Sequence, residues 1–593
     1  MSRRVEARQL EHFPNLVAMF FARAAEKGDA PFLWAKRDGA WQPTSWTETA
    51  RQVAALAASL QRIGLKPGER VMLVSENRPE WLIADLGIMA AGCVTVPTYT
   101  TNTTRDHQHV LGNAGARAVI VSNQKLAKAL VPAVLFTSEC HHIISIEPLA
   151  VQQSPDVAQF HLWSDFVSGP GDVAAMREAA SKVGRDGLAC LIYTSGTGGA
   201  PRGVRQHHGA ILHNVEGCID VIANDFGWDD EIFLSFLPAS HAYEHSGGQY
   251  FPIGLGGQIY YAESLEKLAA NIEEVRPTLM VVVPRLFEML RARIIKTIEK
   301  DGGLPAYMLH RALGIETRRT AGKSRMLDLP MDKILSITLR KKVQAKFGGR
   351  IKAMVSGGAP LNPEVGLFFQ ATGIVVLQGY GQTETGPVIS CNRPQAGIAM
   401  ATVGPPLKNT EVRFASDGEI MVRGELVMHG YWRNPEETAR VLQDPVSGDG
   451  TGAWLATGDV GHFDAEGRIV ITDRKKDLII NDKGDNVAPQ RVEGMLTLQP
   501  EIAQAMVYGD RRPHIVALLV PEAEFADASD LQQRLARAVD RVNAELSVIE
   551  KVRRFIIADG FTVENEQLTP SLKIRRHVIA KAYGERLDAL YKK

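Results

Sequence analysis

Hydroxyl and glycine residues cluster in a short segment that directly follows the apolar stretch 189–193. The hydroxyl side chains are Thr194, Ser195 and Thr197, and the glycines are Gly196, Gly198, Gly199 and Gly203. Glycines let backbone N–H groups turn toward an anion, and the planar guanidinium of Arg202 suits phosphate oxygens. The pattern therefore predicts a buried strand followed by a loop that binds a polyphosphate. A flexible surface loop is the alternative interpretation.

Two common nucleotide-binding motifs do not account for this loop. The sequence contains no G-x-x-x-x-G-K-[ST] motif of the P-loop type. It also lacks the dinucleotide-binding G-x-G-x-x-G motif, because Pro201 stands at the third glycine position after Gly196 and Gly198. The loop must therefore be interpreted together with other segments of the chain.

Two further glycine-rich turns, 356–361 and 378–386, lie downstream, and the second follows the apolar stretch 374–377. The second turn contains the carboxylate of Glu384. The segment 454–460 contains a further carboxylate, Asp459, which can accept two hydrogen bonds when ionised. Taken alone, the turn at 378–386 favours an ordinary glycine-rich turn with a Thr-Glu pair at the surface, and only the other motifs beside it favour a binding site.

The loop and turns, followed by segments 454–460, 473–479 and 568–576, resemble the motifs of the acyl-adenylate-forming superfamily, in the same order. This superfamily includes acyl-CoA synthetases, and segment 568–576 is similar to the C-terminal motif of the long-chain enzymes. The resemblance extends over residues 45–590. It departs from the usual pattern at Gly198, where threonine is usual, and at Arg202, where lysine is usual, so the contribution of the phosphate loop stays open.

The resemblance implies a nucleotide site and assigns its residues. The residues implied to bind phosphate are Thr194, Ser195, Gly196, Thr197 and Arg202 of the loop. Those implied to bind adenine are Gly357, Ala359, Tyr380 and Gly381. Those implied to bind ribose are Asp459 and Arg474. Glu384 is the implied ligand of Mg²⁺. ATP and coenzyme A are the implied cosubstrates.

Three catalytic residues and a hinge follow from the same resemblance. Thr383 would hold the phosphate or the substrate carboxylate, and His241 would lie beside the acyl carboxylate. Lys573 would be the catalytic lysine, since a compact cation on a flexible stem can reach the α-phosphate and the attacking carboxylate together. Lys476 matches the hinge residue between the two domains.

His241 also belongs to a possible zinc motif, because His241, Glu244 and His245 match the pattern H-x-x-E-H. That motif requires a helix that presents both histidines to one metal ion. Pro238 lies just upstream and Gly247 just downstream, which leaves little room for a helix. The zinc interpretation is therefore disfavoured, and an ordinary core histidine remains an alternative for His241.

Composition excludes several classes of protein. The 593 residues include 67 Lys and Arg and 67 Asp and Glu, so no overall charge suggests a nucleic-acid partner. Five scattered cysteines without C-x-x-C spacing favour reduced thiols over a disulfide framework or a zinc site. No apolar stretch approaches the roughly 20 residues of a membrane span, and the N-terminus does not resemble a signal peptide. We expect a cytoplasmic protein.

Strands alternating with helices in the first 150 residues predict βαβ units and a largely parallel sheet. Residues 151–187 are polar, and we predict a loop there. The predicted fold is α/β, with a large N-terminal domain at 1–473 and a small, mobile C-terminal α/β domain at 474–593.

Residues 291–350 are helical in pattern and contain fifteen Lys or Arg against five Asp or Glu. Such a segment could contact anionic lipid at the inner membrane face or the phosphates of coenzyme A, although a solvated helical face is the alternative. A helical segment of this length resembles the long-chain branch of the superfamily.

The sequence thus predicts an ATP-dependent fatty acid–CoA ligase, with a long-chain substrate. Two alternatives share its motifs: a fatty acyl-AMP ligase that loads a carrier protein, and a ligase for aryl or medium-chain acids. A binding protein without activity is a third alternative because of Gly198 and Arg202, but Glu384, Asp459 and Lys573 are all present.

Overall fold

The computed structural model describes residues 11–150, 158–194, 200–444, 452–475, 478–483, 485–569 and 574–592. These residues form the following helices: α1 (Leu16–Lys27), α2 (Trp46–Arg62), α3 (Pro79–Ala90), α4 (Thr104–Ala114), α5 (Gln124–Leu135), α6 (Trp163–Val167), α7 (Val173–Ser181), α8 (His208–Asp225), α9 (Ala242–Glu244), α10 (Phe251–Leu255), α11 (Leu268–Val275), α12 (Pro284–Asp301), α13 (Gly303–Thr320), α14 (Asp328–Ile337), α15 (Leu339–Lys346), α16 (Pro363–Ala371), α17 (Pro435–Val441), α18 (Pro489–Leu496), α19 (Leu531–Glu545) and α20 (Arg576–Ala589). A π-helix, His245–Tyr250, connects α9 to α10.

The strands are β1 (Pro31–Arg37), β2 (Ala40–Ser45), β3 (Arg70–Val74), β4 (Val94–Pro97), β5 (Ala116–Val121), β6 (His142–Ser145), β7 (Gln159–Leu162), β8 (Leu188–Thr194), β9 (Arg202–His207), β10 (Ile232–Ser235), β11 (Gln258–Tyr261), β12 (Leu279–Val282), β13 (Ala353–Ser356), β14 (Val376–Gly381), β15 (Val388–Cys391), β16 (Glu411–Phe414), β17 (Glu419–Arg423), β18 (Leu442–Gln443), β19 (Trp454–Phe463), β20 (Ile469–Arg474), β21 (Ile479–Ile480), β22 (Asn486–Val487), β23 (Ile502–Tyr508), β24 (Ile515–Pro521) and β25 (Val552–Ile557).

Two large sheets with parallel interiors dominate the first 400 residues. One has the strand order β7-β6-β5-β3-β4-β8-β9, and the other has the order β15-β14-β13-β12-β10-β11-β1-β2. Antiparallel pairing is confined to the edges, where β9, β15 and β2 are added. The predicted parallel βαβ arrangement is therefore confirmed for these sheets, because crossover helices force consecutive strands to run in one direction.

Helices cover both faces of each sheet. The central core lies between the two sheets, and it includes α3, which is buried on all sides because its apolar residues continue around the helix. A second core packs α12–α16 on the outer face of the eight-stranded sheet, and a third packs α4 and α5 on the seven-stranded sheet. In the described residues, no helix is both long enough and apolar enough to span a membrane.

The prediction of a loop over 151–187 was wrong for the described part of that range. It contains β7, α6 and α7. Trp163 and Phe166 are buried in the central core, and the backbone carbonyl of Phe166 accepts a hydrogen bond from Ser59 of α2. Asp172 caps α7 by accepting a hydrogen bond from the N–H of Ala175. Tertiary packing therefore outweighed the polar composition.

Beyond residue 410 the strands pair differently. Strands β16–β20 form an antiparallel sheet, which the sequence did not predict. Strands β23, β24 and β25 form a separate three-stranded sheet. One face of this sheet packs against α18 and α19, and the other packs against α20, so the C-terminal residues have cores of their own.

Candidate active site

A cavity of about 2360 Å³ opens where several predicted motifs meet. Parallel strands β13 and β14 pair with Ser356 opposite Gln378, so the turns that follow them lie side by side at the carboxyl edge of the sheet. Ligand sites in open α/β sheets form at such edges. Gly357, Ala359 and Gly381, which were predicted from the resemblance, all line this cavity.

Close packing requires the glycine at two of these positions. A Cβ atom added at Gly357 would lie 2.7 Å from the ring of Tyr243, and one added at Gly381 would collide with the carbonyl oxygen of Pro387. Tyr243 itself is held in place, because its hydroxyl donates to the carbonyl of Val355 at 2.9 Å. The two turns that were predicted to bind adenine thus require glycine at these positions, because neighbouring atoms approach the backbone too closely for a side chain.

Three predicted residues form a hydrogen-bonded cluster at one side of the cavity: Asp459 and Arg474, predicted for ribose, and Tyr380, predicted for adenine. Asp459 of β19 and Arg474 of β20 stand directly opposite each other in the antiparallel pair, and the Nε of Arg474 donates to the Asp459 carboxylate at 2.8 Å. The hydroxyl of Tyr380 donates to the other carboxylate oxygen, also at 2.8 Å. Burial and the adjacent Asp459 carboxylate raise the pKa of Tyr380, so the phenol stays protonated as a donor.

A second cluster surrounds Glu384 and includes two residues that the sequence reasoning missed. The hydroxyl of Tyr431 donates to a carboxylate oxygen of Glu384 at 2.7 Å. The guanidinium of Arg202 lies 4.5 Å from the centre of the Tyr431 ring and forms an ion pair with Glu437. Burial and the Glu384 carboxylate raise the pKa of Tyr431. Tyr431 therefore joins the end of the predicted phosphate loop to the predicted Mg²⁺ ligand.

The charged turn that carries Glu437 gives a weak sequence signal for this cluster. Asn434, Pro435 and Glu437 form a helix start, in which the Asn434 side chain accepts a hydrogen bond from the Glu437 N–H. Nothing in the sequence indicates that this helix faces Arg202, because the two residues are separated by 235 positions. Whether Arg202 reaches a phosphate remains a prediction.

Glu384 fits the role of a Mg²⁺ ligand by its donor chemistry. It is buried, lines the cavity and keeps a second carboxylate oxygen beyond the one bonded to Tyr431. Mg²⁺ is typically held by one or two carboxylates together with substrate phosphates, so a single protein carboxylate here is consistent with that ion. Neighbouring Thr383 also lines the cavity, while its backbone carbonyl accepts a hydrogen bond from Gln206.

The zinc alternative finds no support in the geometry of the H-x-x-E-H segment. The Nδ1 of His241 accepts from the N–H of Tyr243 at 3.2 Å, Glu244 accepts from Ser235 at 2.5 Å, and His245 contacts Asp85 at 3.0 Å. The three side chains thus have three different neighbours. His241 lines the cavity, as the resemblance implies, and burial raises the pKa of Glu244 to about 8.

Elsewhere in the described residues, one group of three potential metal ligands lies close together: Asp186, His207 and His429. Both ring nitrogens of His207 already have partners, since Nδ1 accepts from the Ala210 N–H and Nε2 contacts the Val427 carbonyl. No lone pair of that imidazole remains for a metal ion. We therefore interpret this group as packed histidine side chains and not as a metal site.

Another part of the cavity lining is apolar. It is lined by side chains of α8, α10 and β12, among them Val221, Ile222, Phe251 and Val281. Gly247 of the π-helix also lines it, and a Cβ atom there would lie 3.1 Å from the Val281 side chain. The π-helix thus leaves space beside β12 because its residue at this position has no side chain.

Several predicted residues lie outside the described ranges. These are Ser195, Gly196, Thr197 and Gly198 of the phosphate loop, the hinge Lys476 and the catalytic Lys573. Most of the described residues that flank these gaps line the cavity, namely Thr194, Lys475, Leu478, Thr569 and Ile574. Arg576, which follows the last of these gaps, forms an ion pair with Glu493.

Comparison with known proteins shows the family to which the chain belongs. The sequence profile of the AMP-binding enzyme family matches residues 20–432, and that of the AMP-binding enzyme C-terminal domain matches residues 476–593. The chain belongs to the AMP-binding enzyme family. The enzyme is an AMP-forming acid–thiol ligase.

Relatives of the enzyme match along most of its length. The long-chain-fatty-acid–CoA ligase FadD15 of Mycobacterium tuberculosis is 30% identical over 622 residues, covering 98% of this chain and 97% of that protein. Long chain acyl-CoA synthetase 1 of Arabidopsis thaliana is 28% identical and covers 99% and 92%.

Among solved structures, the adenylation domain of a carboxylate reductase from Mycobacterium chelonae superposes with a TM-score of 0.75 at 23% identity, covering 98% of this chain and 92% of that one. This similarity confirms the predicted α/β fold of a large N-terminal part and a smaller C-terminal part.

Proposed function

We propose that the enzyme is an ATP-dependent fatty acid–CoA ligase that activates a long-chain fatty acid and transfers it to coenzyme A. The observation that carries the proposal is the single cavity, in which an apolar section at Val221, Phe251 and Gly247 is continuous with the polar clusters at Glu384 and Asp459. An alkyl chain and a nucleotide would fit side by side in such a space. The names of the full-length relatives support the same assignment.

The first half-reaction joins the acid to AMP. A carboxylate oxygen of the fatty acid attacks the α-phosphorus of ATP, the bond from that phosphorus to the bridging oxygen breaks, and pyrophosphate leaves. In this proposal Lys573 stabilises the developing charge, Thr383 holds the phosphate or carboxylate, and His241 lies beside the carboxylate. Bound Mg²⁺ would neutralise phosphate charge, and Glu384 would hold it.

The second half-reaction forms the thioester. The sulfur of coenzyme A attacks the acyl carbonyl carbon, the carbon–oxygen bond to AMP breaks, and the thiol proton passes to solvent. We propose that the chain divides into domains at 1–473 and 474–593, and that rotation about Lys476 withdraws Lys573 between the two half-reactions. One cavity would then serve two reactions through a hinge motion.

The test is mass spectrometry of the products formed from ATP, Mg²⁺ and a mixture of C4–C20 and aryl acids, with and without coenzyme A. Acyl-CoA and AMP appearing together, from long-chain acids, support the proposal. Acyl-AMP that persists despite coenzyme A would indicate a ligase that loads a carrier protein. Preference for an aryl or medium-chain acid would correct the substrate, and no product would contradict ligase activity.

A pair of variants tests the assigned roles separately. Lys573→Ala should abolish adenylation and spare thioester formation from pre-formed acyl-AMP, because only the first step needs its charge at the α-phosphate. Lys476→Pro should give the opposite pattern, because a rigid hinge blocks the rotation. Equal loss of both steps in Lys573→Ala would contradict the division of roles.

A further inference from the structure

The loop between α13 and α14, and α14 itself, present an apolar surface to solvent. Sixteen large hydrophobic side chains are exposed among the described residues, and five of them lie within the twelve positions from Met326 to Ile337. Met326 is 87% exposed, Leu327 is 85% exposed and Ile337 is 68% exposed. Clustering of this kind marks an interaction site, whereas single exposed apolar residues are ordinary.

The helix places these side chains in one stripe. Leu329, Lys333 and Ile337 are spaced four residues apart and are all exposed, and Ile334 lies beside them. On the inner side of the same helix, Leu335 is fully buried in the core beneath the eight-stranded sheet. The exposed stripe is therefore the outer face of a helix that is anchored in the protein.

Positive charge surrounds the apolar side chains. Residues 321–342 contain six Lys or Arg and two Asp or Glu. Both acids already have partners, since Asp328 pairs with Arg318, and Asp332 pairs with Arg319 and Arg340. Over the described ranges, no ion pair involves Lys323, Lys333, Lys341 or Lys342.

We propose that this region, which we name the α14 surface (Lys323 to Lys342), docks the enzyme on an anionic lipid bilayer. Its apolar side chains are suited to the boundary between headgroups and acyl chains, while its lysines are suited to lipid phosphates. Charge complementarity favours this occupant over an apolar protein groove, because four lysines would lose hydration there without gaining acidic partners. The proposal does not depend on the acid that the enzyme activates.

The test is co-sedimentation of the full-length enzyme, without substrates, with vesicles of phosphatidylcholine alone or with about 30% phosphatidylglycerol. We expect binding to the anionic vesicles only, and weaker binding at higher salt, because screening reduces attraction between exposed charges. The double variant Met326→Gln/Leu327→Gln should bind at least about ten-fold more weakly, because two apolar side chains no longer enter the bilayer. Lys333→Gln/Lys341→Gln should lose about five-fold per lysine.

Matched controls are available elsewhere in the chain. Leu135 and Phe136 form another adjacent exposed apolar pair, with Phe136 76% exposed, and Lys125 and Lys128 are exposed on α5, the helix that ends at Leu135. The variants Leu135→Gln/Phe136→Gln and Lys125→Gln/Lys128→Gln should bind vesicles like the unmodified enzyme. An unchanged thermal melting curve would show that each variant is folded.

Three outcomes would overturn the proposal. They are equal binding to neutral and anionic vesicles, equal loss in the α14 and α5 variants, and no vesicle binding at all. If the enzyme binds no vesicles, sedimentation equilibrium tests whether it self-associates. Self-association that the variant Met326→Gln/Leu327→Gln abolishes would show that a second copy of this chain covers the α14 surface.

Discussion

The two halves of the cavity are built in different ways. In the part that we propose binds the nucleotide (the nucleotide half), Asp459 and Arg474 face each other across one pair of adjacent strands, only fifteen residues apart in sequence. In the part that we propose binds the fatty acid (the acyl half), the space beside Val281 exists because the π-helix places Gly247 against it. In this proposal the nucleotide is recognised by specific polar side chains, and the fatty acid by the shape of the cavity.

Substitution in the ribose cluster should have the largest effect. Asp459→Asn removes the negative charge of the carboxylate that accepts hydrogen bonds from Tyr380 and Arg474. We propose that this carboxylate also binds the ribose hydroxyls. A hydrogen bond to a charged group contributes about 2 kcal/mol, so the KM for ATP should rise about thirty-fold with little change for the acid. Steady-state kinetics measure both constants, and the exposed Asp230→Asn serves as control. An unchanged KM for ATP would show that Asp459 does not bind the nucleotide.

The second prediction concerns Tyr431, which connects Glu384 with Arg202. Tyr431→Phe deletes the hydroxyl that donates to Glu384 and keeps the ring beneath the Arg202 guanidinium. We expect Mg²⁺–ATP to bind about ten-fold more weakly, because Glu384 loses the partner that orients it. Isothermal titration with Mg²⁺–ATP measures this directly. If Glu384 does not hold the metal ion, binding will be unaffected.

The third prediction concerns the acyl half, where the substitution changes the size of a side chain and not its charge. Gly247→Ala places a methyl group 3.1 Å from Val281, inside the apolar section of the cavity. One methyl group in such a pocket alters specificity about ten-fold, so kcat/KM should fall for long acids and change little for short ones. Gly217→Ala is a matched control, because its methyl group would meet Leu407 and Gly217 does not line the cavity. A uniform loss for all acids would indicate misfolding.

The fourth prediction concerns the stability of the fold and not the reaction: it is a pH dependence of stability that comes from Glu244. Burial raises the pKa of Glu244 to about 8 from the ordinary 4.5, so the folded protein keeps a proton that the unfolded chain releases above pH 4.5. The contribution of Glu244 to stability is therefore complete below pH 4.5, and it falls between pH 4.5 and about 8 by up to about 1.4 kcal/mol per pH unit.

Glu244→Gln keeps the shape of this side chain and its acceptor toward Ser235, and it removes the ionisation. The difference in melting temperature between the variant and the unmodified enzyme should therefore grow in favour of the variant from about pH 5 to about pH 8. A constant difference over that range would show that Glu244 is ionised in the folded protein.

The sequence predicted the nucleotide half more completely than the acyl half. Gly357, Tyr380, Glu384 and Asp459 could be named because each belongs to a contiguous motif, and the structure brings them to one cavity. Tyr431 and Glu437 were missed, since their only link to Arg202 is a contact between segments more than 200 residues apart. Residues 163–181 were missed as helices because burial against α2 outweighed their polar composition.

The sequence by itself predicted the α/β fold and the parallel strands, because runs of apolar and polar residues specify strands and helices locally. Its resemblance to a known superfamily, carried by short contiguous motifs, supplied the residues that we propose for the nucleotide site. Tertiary structure decided the rest: the contact between Tyr431 and Glu384, the apolar space beside Gly247, and the outward face of α14. Each of these results from packing between segments distant in the chain, which no local pattern encodes.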